Sequence, residues 1–441
     1  DGYGVRVLST VAPPFLDAIS ISGNIISGGT NSYGVVLQLG AGLRDCDVSG
    51  NKFFELDESA IRILTNTTGG ADGNLVGLNV SGNLFRRCAR VSGDPVFEVN
   101  SSNTSAGFCE SVKIDGNQIF SCGVAAPGSD YILLDAESWS GGAQSLSISG
   151  NQLEGSVLNS MQRGISVILP ETTASGISIQ NNQILDFDSQ GVFVQGAATR
   201  NLVFSGNSVV VRDGSTVVSP EGFSYSSGGR AGDNTSILAE SVVSGNTFQD
   251  LSTPDGDNLL GIVLDMDNDG DTLLCILESC TFDGNVFRNV DSAFYTLTPD
   301  ALFWNVSVSG NQIYSVGATR TSLIYVECDK NIQGLNLNDN SIQATSLTSA
   351  AGAIEVERGL ASSNARNISI CRNSIEFVSG SVSGNGIRYN QLVAPAGFGN
   401  LQNIDISHNS VLGVMDIGIY FSWGALPGSS TARYVTISEN R

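Results

Sequence analysis

Ile19-Ser20-Ile21-Ser22-Gly23-Asn24-Ile25-Ile26 decides the fold, because the chain rewrites this pattern down to its last residues. The pattern is an asparagine with apolar residues five and three positions before it and another two after it. That asparagine is Asn24, Asn51, Asn83, Asn117, Asn151, Asn182, Asn207, Asn246, Asn285, Asn311, Asn340, Asn373, Asn409 and Asn440. These are fourteen copies with thirteen intervals and a mean spacing of 32 residues. A fixed period of this size means stacked units, none able to bury its apolar face alone and each covered by its neighbours.

The position three before the asparagine is apolar in all fourteen copies, from Ile21, Val48 and Val80 to Ile406 and Ile437, and the position five before it is apolar in nearly all. Alternation of period two is strand, not helix. Gly-Asn interrupts it, and this pair readily takes the left-handed backbone conformation, so the chain bends and resumes as a second strand with Ile26, Phe53, Phe85 or Ile119 inward. A third run follows, as in Gly34-Val35-Val36-Leu37, Gly191-Val192-Phe193-Val194 and Gly418-Ile419-Tyr420-Phe421. The expected fold is all-β: a single right-handed parallel β-helix of about fourteen three-strand coils, with the asparagines stacked in one ladder and residues 1–441 forming one domain.

The repeated Ile-Ser-Gly-Asn-x-Ile with Gly-Ile-x-Val resembles the repeats of pectate-lyase-like β-helices, a group that includes alginate epimerases and phage tailspikes. The resemblance covers essentially the whole chain and implies the asparagine ladder at the short corner. It also implies that a polysaccharide groove would lie on the third-strand face. The scaffold hosts lyases, hydrolases, epimerases, adhesins and inert fibres, so chemistry has to be read from individual residues.

Composition fits a long solenoid: 441 residues with 52 Gly, 10 Pro and 15% charged residues. A formal charge of −22 argues against nucleic acid and anionic membranes as partners, since both would be repelled. No apolar run approaches the ~18 residues that span a bilayer, so membrane insertion is not expected. The chain starts almost within a strand and ends inside a ladder motif, from which the expectation is a piece of a longer extracellular or virion-surface protein; the tailspike resemblance adds a homotrimer as a candidate assembly. Seven Asn-x-Ser/Thr contexts, Asn79, Asn305 and Asn367 among them, are what so Asn- and Ser-rich a chain produces by accident.

The eight cysteines form no Cys-x-x-Cys pair and His408 is the only histidine, which argues against zinc. Cys88 and Cys122 each stand five residues after a ladder asparagine, so they are expected side by side on adjacent coils, about 4.8 Å apart by strand spacing. Cys46 and Cys280 are expected as small core residues. His408 precedes Asn409 at the short corner and reads as a turn residue.

Two stretches suggest chemistry. In Asp265-Met266-Asp267-Asn268-Asp269-Gly270-Asp271, the carboxylates of Asp265, Asp267, Asp269 and Asp271 alternate before a glycine as in calcium loops, although the position of the usual bidentate Glu holds Ile276. Ca2+ is therefore the one candidate cofactor, and none is required by the fold.

The second stretch comes from strand register. If Ile324, Val326, Ile354, Val356, Ile387 and Tyr389 face inward, the residues between them face out. One outward row then reads Tyr325, Glu355, Arg388, Tyr420, and the row beside it reads Glu327, Glu357, Asn390, Ser422. Stacked like charges at Glu327 and Glu357 raise one carboxyl pKa. Two carboxylates about 5 Å apart suit a retaining glycosidase, and wider pairs suit inversion. Tyr325, Tyr420 and Trp423 offer stacking faces for sugars, and Arg388 offers a partner for a sugar carboxylate or for Glu355. The bland alternative is a polar outer face with an ordinary Glu355–Arg388 ion pair. A second acidic cluster, Glu98, Asp135 and Glu137, ranks lower because it lacks evident aromatic and Arg partners.

The Asp-Asp, Gly-His-Gly and Arg-x-Lys segments of polygalacturonases do not occur, and the acidic run at Asp265 has no basic companion in register as pectate-lyase chemistry would want. The leading functional expectation is a tailspike-like, receptor-binding fibre that binds an extracellular polysaccharide, with depolymerase activity as an open candidate. The alternatives are a secreted polysaccharide lyase, hydrolase or epimerase, and a non-catalytic adhesive or structural fibre.

Overall fold

In each coil the chain runs up to a ladder asparagine, turns, makes a short strand, and closes with a third strand that lies over its counterpart one coil earlier. In a computed structural model the described residues are 2–9, 15–40, 42–65, 73–91, 93–101, 107–122, 130–155, 161–170, 172–212, 220–227, 235–251, 259–266, 274–297, 301–315, 322–345, 347, 351–358, 364–378, 384–391, 400–413, 417–423 and 432–441. The coils are those of a right-handed parallel β-helix, about fourteen in all, with three parallel sheets as faces. By packing, the chain divides into two units, Asp1–Pro220 and Glu221–Arg441. No helix long and apolar enough to cross a membrane occurs among the described residues.

In the first unit the third-strand face is built from Gly2–Ser9, Ser32–Leu39, Ile61–Thr65, Phe97–Ser101, Asp130–Asp135, Met161–Ile168 and Phe187–Gln195, paired in that order. In the second it comprises Glu221–Ser226, Leu260–Asp265, Ser292–Leu297, Ile324–Glu327, Gly352–Arg358, Asn385–Gln391 and Ile417–Trp423. The residues three before and two after the asparagine fill the core: Val48, Phe53, Ile179, Ile184, Phe204 and Ile313 are at most 1% exposed. Aromatic rings stack along it, Phe53 on Phe85 at 5.0 Å and Phe248 on Phe287 at 5.1 Å.

The asparagines form the expected ladder within each unit. Asn117 is typical: its Oδ1 accepts from the backbone N–H and the Nδ2 of Asn83, both at 3.0 Å, while its own Nδ2 donates to Val80 O at 2.9 Å and Asn151 Oδ1 at 3.0 Å. The same links join Asn24 through Asn207 and Asn246 through Asn440. Interior amides such as that of Asn117 are satisfied by the coils on either side, which is why asparagine rather than an apolar residue holds this buried corner.

The residue before each asparagine takes positive φ in all fourteen coils, nine times as glycine (Gly23, φ 68°) and otherwise as Asn181, Asp339, Arg372, His408 or Glu439. His408 is thus a corner residue, with φ 58°, and its Nε2 lies 2.5 Å from Glu439 Oε2 on the next corner. A second left-handed residue, six before the asparagine, also recurs in every coil, from Ala18 and Asp45 to Asn403 and Tyr434. It breaks the strand as a bulge does and re-aims the chain into the inward positions. Sequence patterning missed it because its residue types share no chemistry.

All eight cysteines are buried free thiols. Cys88 and Cys122 are neighbours as expected, with Cys88 N–H donating to Cys122 Sγ at 3.3 Å. Cys46 and Cys280 are core residues at 1% and 0% exposure.

Candidate functional site

The outward row on the third-strand face of the second unit falls in the anticipated register. Tyr325 pairs with Glu355, Glu355 with Arg388, and Arg388 with Tyr420; beside them Glu327 pairs with Glu357, and Glu357 with Asn390. Inward neighbours fix this: Ile324, Ile354, Val356, Ile387 and Tyr389 are all 0% exposed, so period two turns Tyr325, Glu327 and Glu357 to the outside.

Tyr325 is the hub. Its ring stacks on Tyr295 of the preceding coil at 5.1 Å and 21°. Its hydroxyl donates to Glu357 Oε2 at 3.1 Å, with Glu327 Oε2 at 3.4 Å. Burial, reinforced by the charges of Glu327 and Glu357, pushes both the Tyr325 and the Tyr295 phenols up, so both keep their protons. Thr296 fixes the strand beside them by accepting from Glu327 N–H at 2.8 Å. Tyr295, in Ala293-Phe294-Tyr295, was not anticipated because that coil lacks the Gly-Ile-x-Val signature; its position one strand before Tyr325 was the available signal.

Glu355 is a different kind of carboxylate. It is 2% exposed, and Arg388 Nη1 lies 2.6 Å from its Oε1. Its other oxygen accepts from Ser322 Oγ and from Gly352 N–H, the latter at 3.1 Å. Burial pushes its pKa up, opposed by the Ser322 hydroxyl and Arg388. Arg388 is therefore engaged with Glu355. Tyr420 follows Arg388 in register, and Trp423 pairs with Gln391 through the backbone, with its side chain outside the described set.

Of the calcium candidates, Asp265 ends the strand Leu260–Asp265 with its backbone opposite Leu297. Asp267, Asp269 and Asp271 lie outside the described residues. Among the described residues no group of three or more His, Cys, Asp or Glu side chains converges as metal ligands.

The other acidic cluster does have an Arg partner, contrary to the reading from sequence. Arg62 is the direct cross-strand neighbour of Glu98, and its Nε lies 2.8 Å from Glu98 Oε2 without hydrogen-bond alignment. Asn100 donates to the other Glu98 oxygen at 3.3 Å. Burial pushes the Glu98 pKa up against the opposing Arg62 charge. A further buried carboxylate on this face, Asp130, is opposite Arg163 and is pushed up to about 6 by burial, opposed by Arg163 and Ser166.

No protein-family model and no curated protein matches the chain. Among solved structures it is similar to a crystal structure of PfbA, a surface adhesin of Streptococcus pneumoniae, at 11% identity over 86% of this chain and 84% of that one, with a TM-score of 0.41. A second PfbA structure matches at 12% identity over 84% and 91%, with a TM-score of 0.37. Likeness at this level says nothing about what the chain binds.

Proposed function

We propose that the chain is an extracellular β-helix fibre that binds a polysaccharide on the third-strand face of its second unit. The observation that carries this is the half-buried Tyr295–Tyr325 stack, whose Tyr325 hydroxyl meets two carboxylates. Sugars are recognised by such pairings of an aromatic face with fixed hydrogen-bond acceptors. Glu355 and Arg388 anchor the row, and Tyr420 extends it. A receptor-binding fibre of a virion and an adhesive fibre of a cell surface both make use of this patch and differ in what the chain is attached to.

Depolymerase activity is a second reading, favoured by one feature: Glu327 and Glu357 lie one strand apart with a protonated phenol between them. Hydrolysis would require one carboxyl protonated and the other ionised. A glycan array combined with a reducing-end assay, run on the parent and on Glu327→Gln/Glu357→Gln, separates the cases. Binding without new reducing ends is expected from the parent. Cleavage lost in the variant with binding retained would make it an enzyme, and no glycan response in either would leave only a structural fibre.

A further inference from the structure

A groove of about 350 Å³ opens on the ladder-strand face of the first unit, remote in sequence from the patch above. Its shape follows from one coil. Cys109, Ala143 and Ala174 are paired in register, so the residues preceding them, Phe108, Gly142 and Thr173, lie side by side. Gly142 has φ 103°, and a Cβ there would come within 2.8 Å of Thr173 O. Glycine at this position lets the Gly142 backbone close onto Thr173, and the groove opens beside it between Phe108, Gly141 and the outward side chains of the adjacent row.

The next outward row, Glu110, Gln144 and Ser175, is also paired coil to coil and forms the polar wall. No described hydrogen bond or ion pair engages the side chains of Glu110, Gln144, Thr173 or Ser175. This contrasts with the second-unit patch, where Tyr325 is bonded to Glu357 and Arg388 to Glu355.

We propose that this groove is a saccharide-binding subsite for a neutral sugar unit. The lining has one carboxylate and no cation, Arg200 coming only at the next position of the row beyond Ser175, and this balance favours a neutral unit over phosphates, sulfates and uronic acids. A lone carboxylate falls well short of the oxygen ligands a hard cation requires. The polar wall is unsuited to an apolar ligand. A neutral pyranose matches what remains: its C–H face rests on Phe108, and its hydroxyls bond to the carboxylate, amide and hydroxyls of the wall. The volume is in the range of small-ligand sites. The inference stands independently of the patch at Tyr325.

The test is titration of the full chain with a panel of neutral, amino and uronic oligosaccharides. The parent is compared with Phe108→Ala, Gln144→Ala and Glu327→Gln/Glu357→Gln, each checked for unchanged melting. Gln144 is exposed, so its variant serves even if Phe108→Ala fails to fold. The expected result is a neutral oligosaccharide whose affinity falls at least tenfold in both groove variants and persists in the double variant. Equal binding by parent and groove variants, or binding of uronic glycans only, would overturn the proposal, as would no binding at all. Loss in the double variant alone would sustain the patch and dismiss the groove.

Discussion

Among the described residues, each unit holds one buried glutamate against an arginine on its third-strand face, and the two pairs differ in what surrounds them. Around Arg62 and Glu98 the row reads Arg6, Val36, Arg62, Glu98, Leu133, so the pair is walled by Val36 and Leu133. The local aromatic stack, Tyr3 on Tyr33 at 5.5 Å, belongs to a different row, and its Tyr33 phenol feels Arg62 together with the charges of Glu58 and Asp94. Around Glu355 and Arg388 the row reads Tyr295, Tyr325, Glu355, Arg388, Tyr420, and the adjoining row supplies Glu327 and Glu357. A buried Glu–Arg pair is thus a structural device common to both units. What marks the second unit is an aromatic stack in the same row as the pair, in register from Tyr325 to Glu355, and a phenol whose hydroxyl lies within hydrogen-bond distance of two further carboxylates.

The largest effect is expected where the units are alike. Asn117→Ala in the first unit and Asn311→Ala in the second each remove four hydrogen bonds at a buried corner, about 4 kcal/mol in either case. Hydrogen exchange resolved by coil would show local opening in both variants, and unequal losses would mean that the two ladders are not equivalent. The anchors should then separate the units. Arg62→Ala strands Glu98 with a single 3.3 Å contact from Asn100 and is expected to cost about 3 kcal/mol. In Arg388→Ala, Ser322 and Gly352 still hold Glu355, and the cost should be roughly half that. Denaturation of both variants checks the order, and a larger loss for Arg388→Ala would reverse the comparison.

Asp130 sharpens it further. Its folded pKa, about 6, lies above its ordinary value of 3.8, so the folded state holds the extra proton between those limits. Its contribution is therefore fully present below about pH 4 and is lost as pH rises through 6. Asp130→Asn should flatten that decline in the first unit and stabilise it at pH 7 by on the order of 2 kcal/mol. Melting curves at pH 4 and pH 7 read this directly; a variant whose pH dependence matches the parent's would contradict it.

Much of this was legible because a solenoid converts sequence offset into spatial neighbourhood. Period two around Ile354 and Val356 sets which side chains face out, and the repeat length sets which coils they meet. The same logic placed Cys88 against Cys122 and His408 at a corner. Three features were not legible. The left-handed residue six before each asparagine carries Ala, Asp, Ser, Asn, Glu, Tyr or Gly, so no residue type announces it. The burial of Glu355 arises from segments distant in sequence, Ser322 among them, and not from strand alternation. Arg62 opposite Glu98 follows from pairing Ile61 with Phe97 across a segment of irregular length.

The central claim is that the stack in the second unit, and not the one in the first, meets a glycan. Tyr325→Ala and Tyr33→Ala remove corresponding rings from the two stacks, so their affinities for whichever polysaccharide the parent captures on an array can be compared directly. The account predicts at least a tenfold loss for Tyr325→Ala and parental affinity for Tyr33→Ala. Equal affinity in both variants, or a loss confined to Tyr33→Ala, would contradict it.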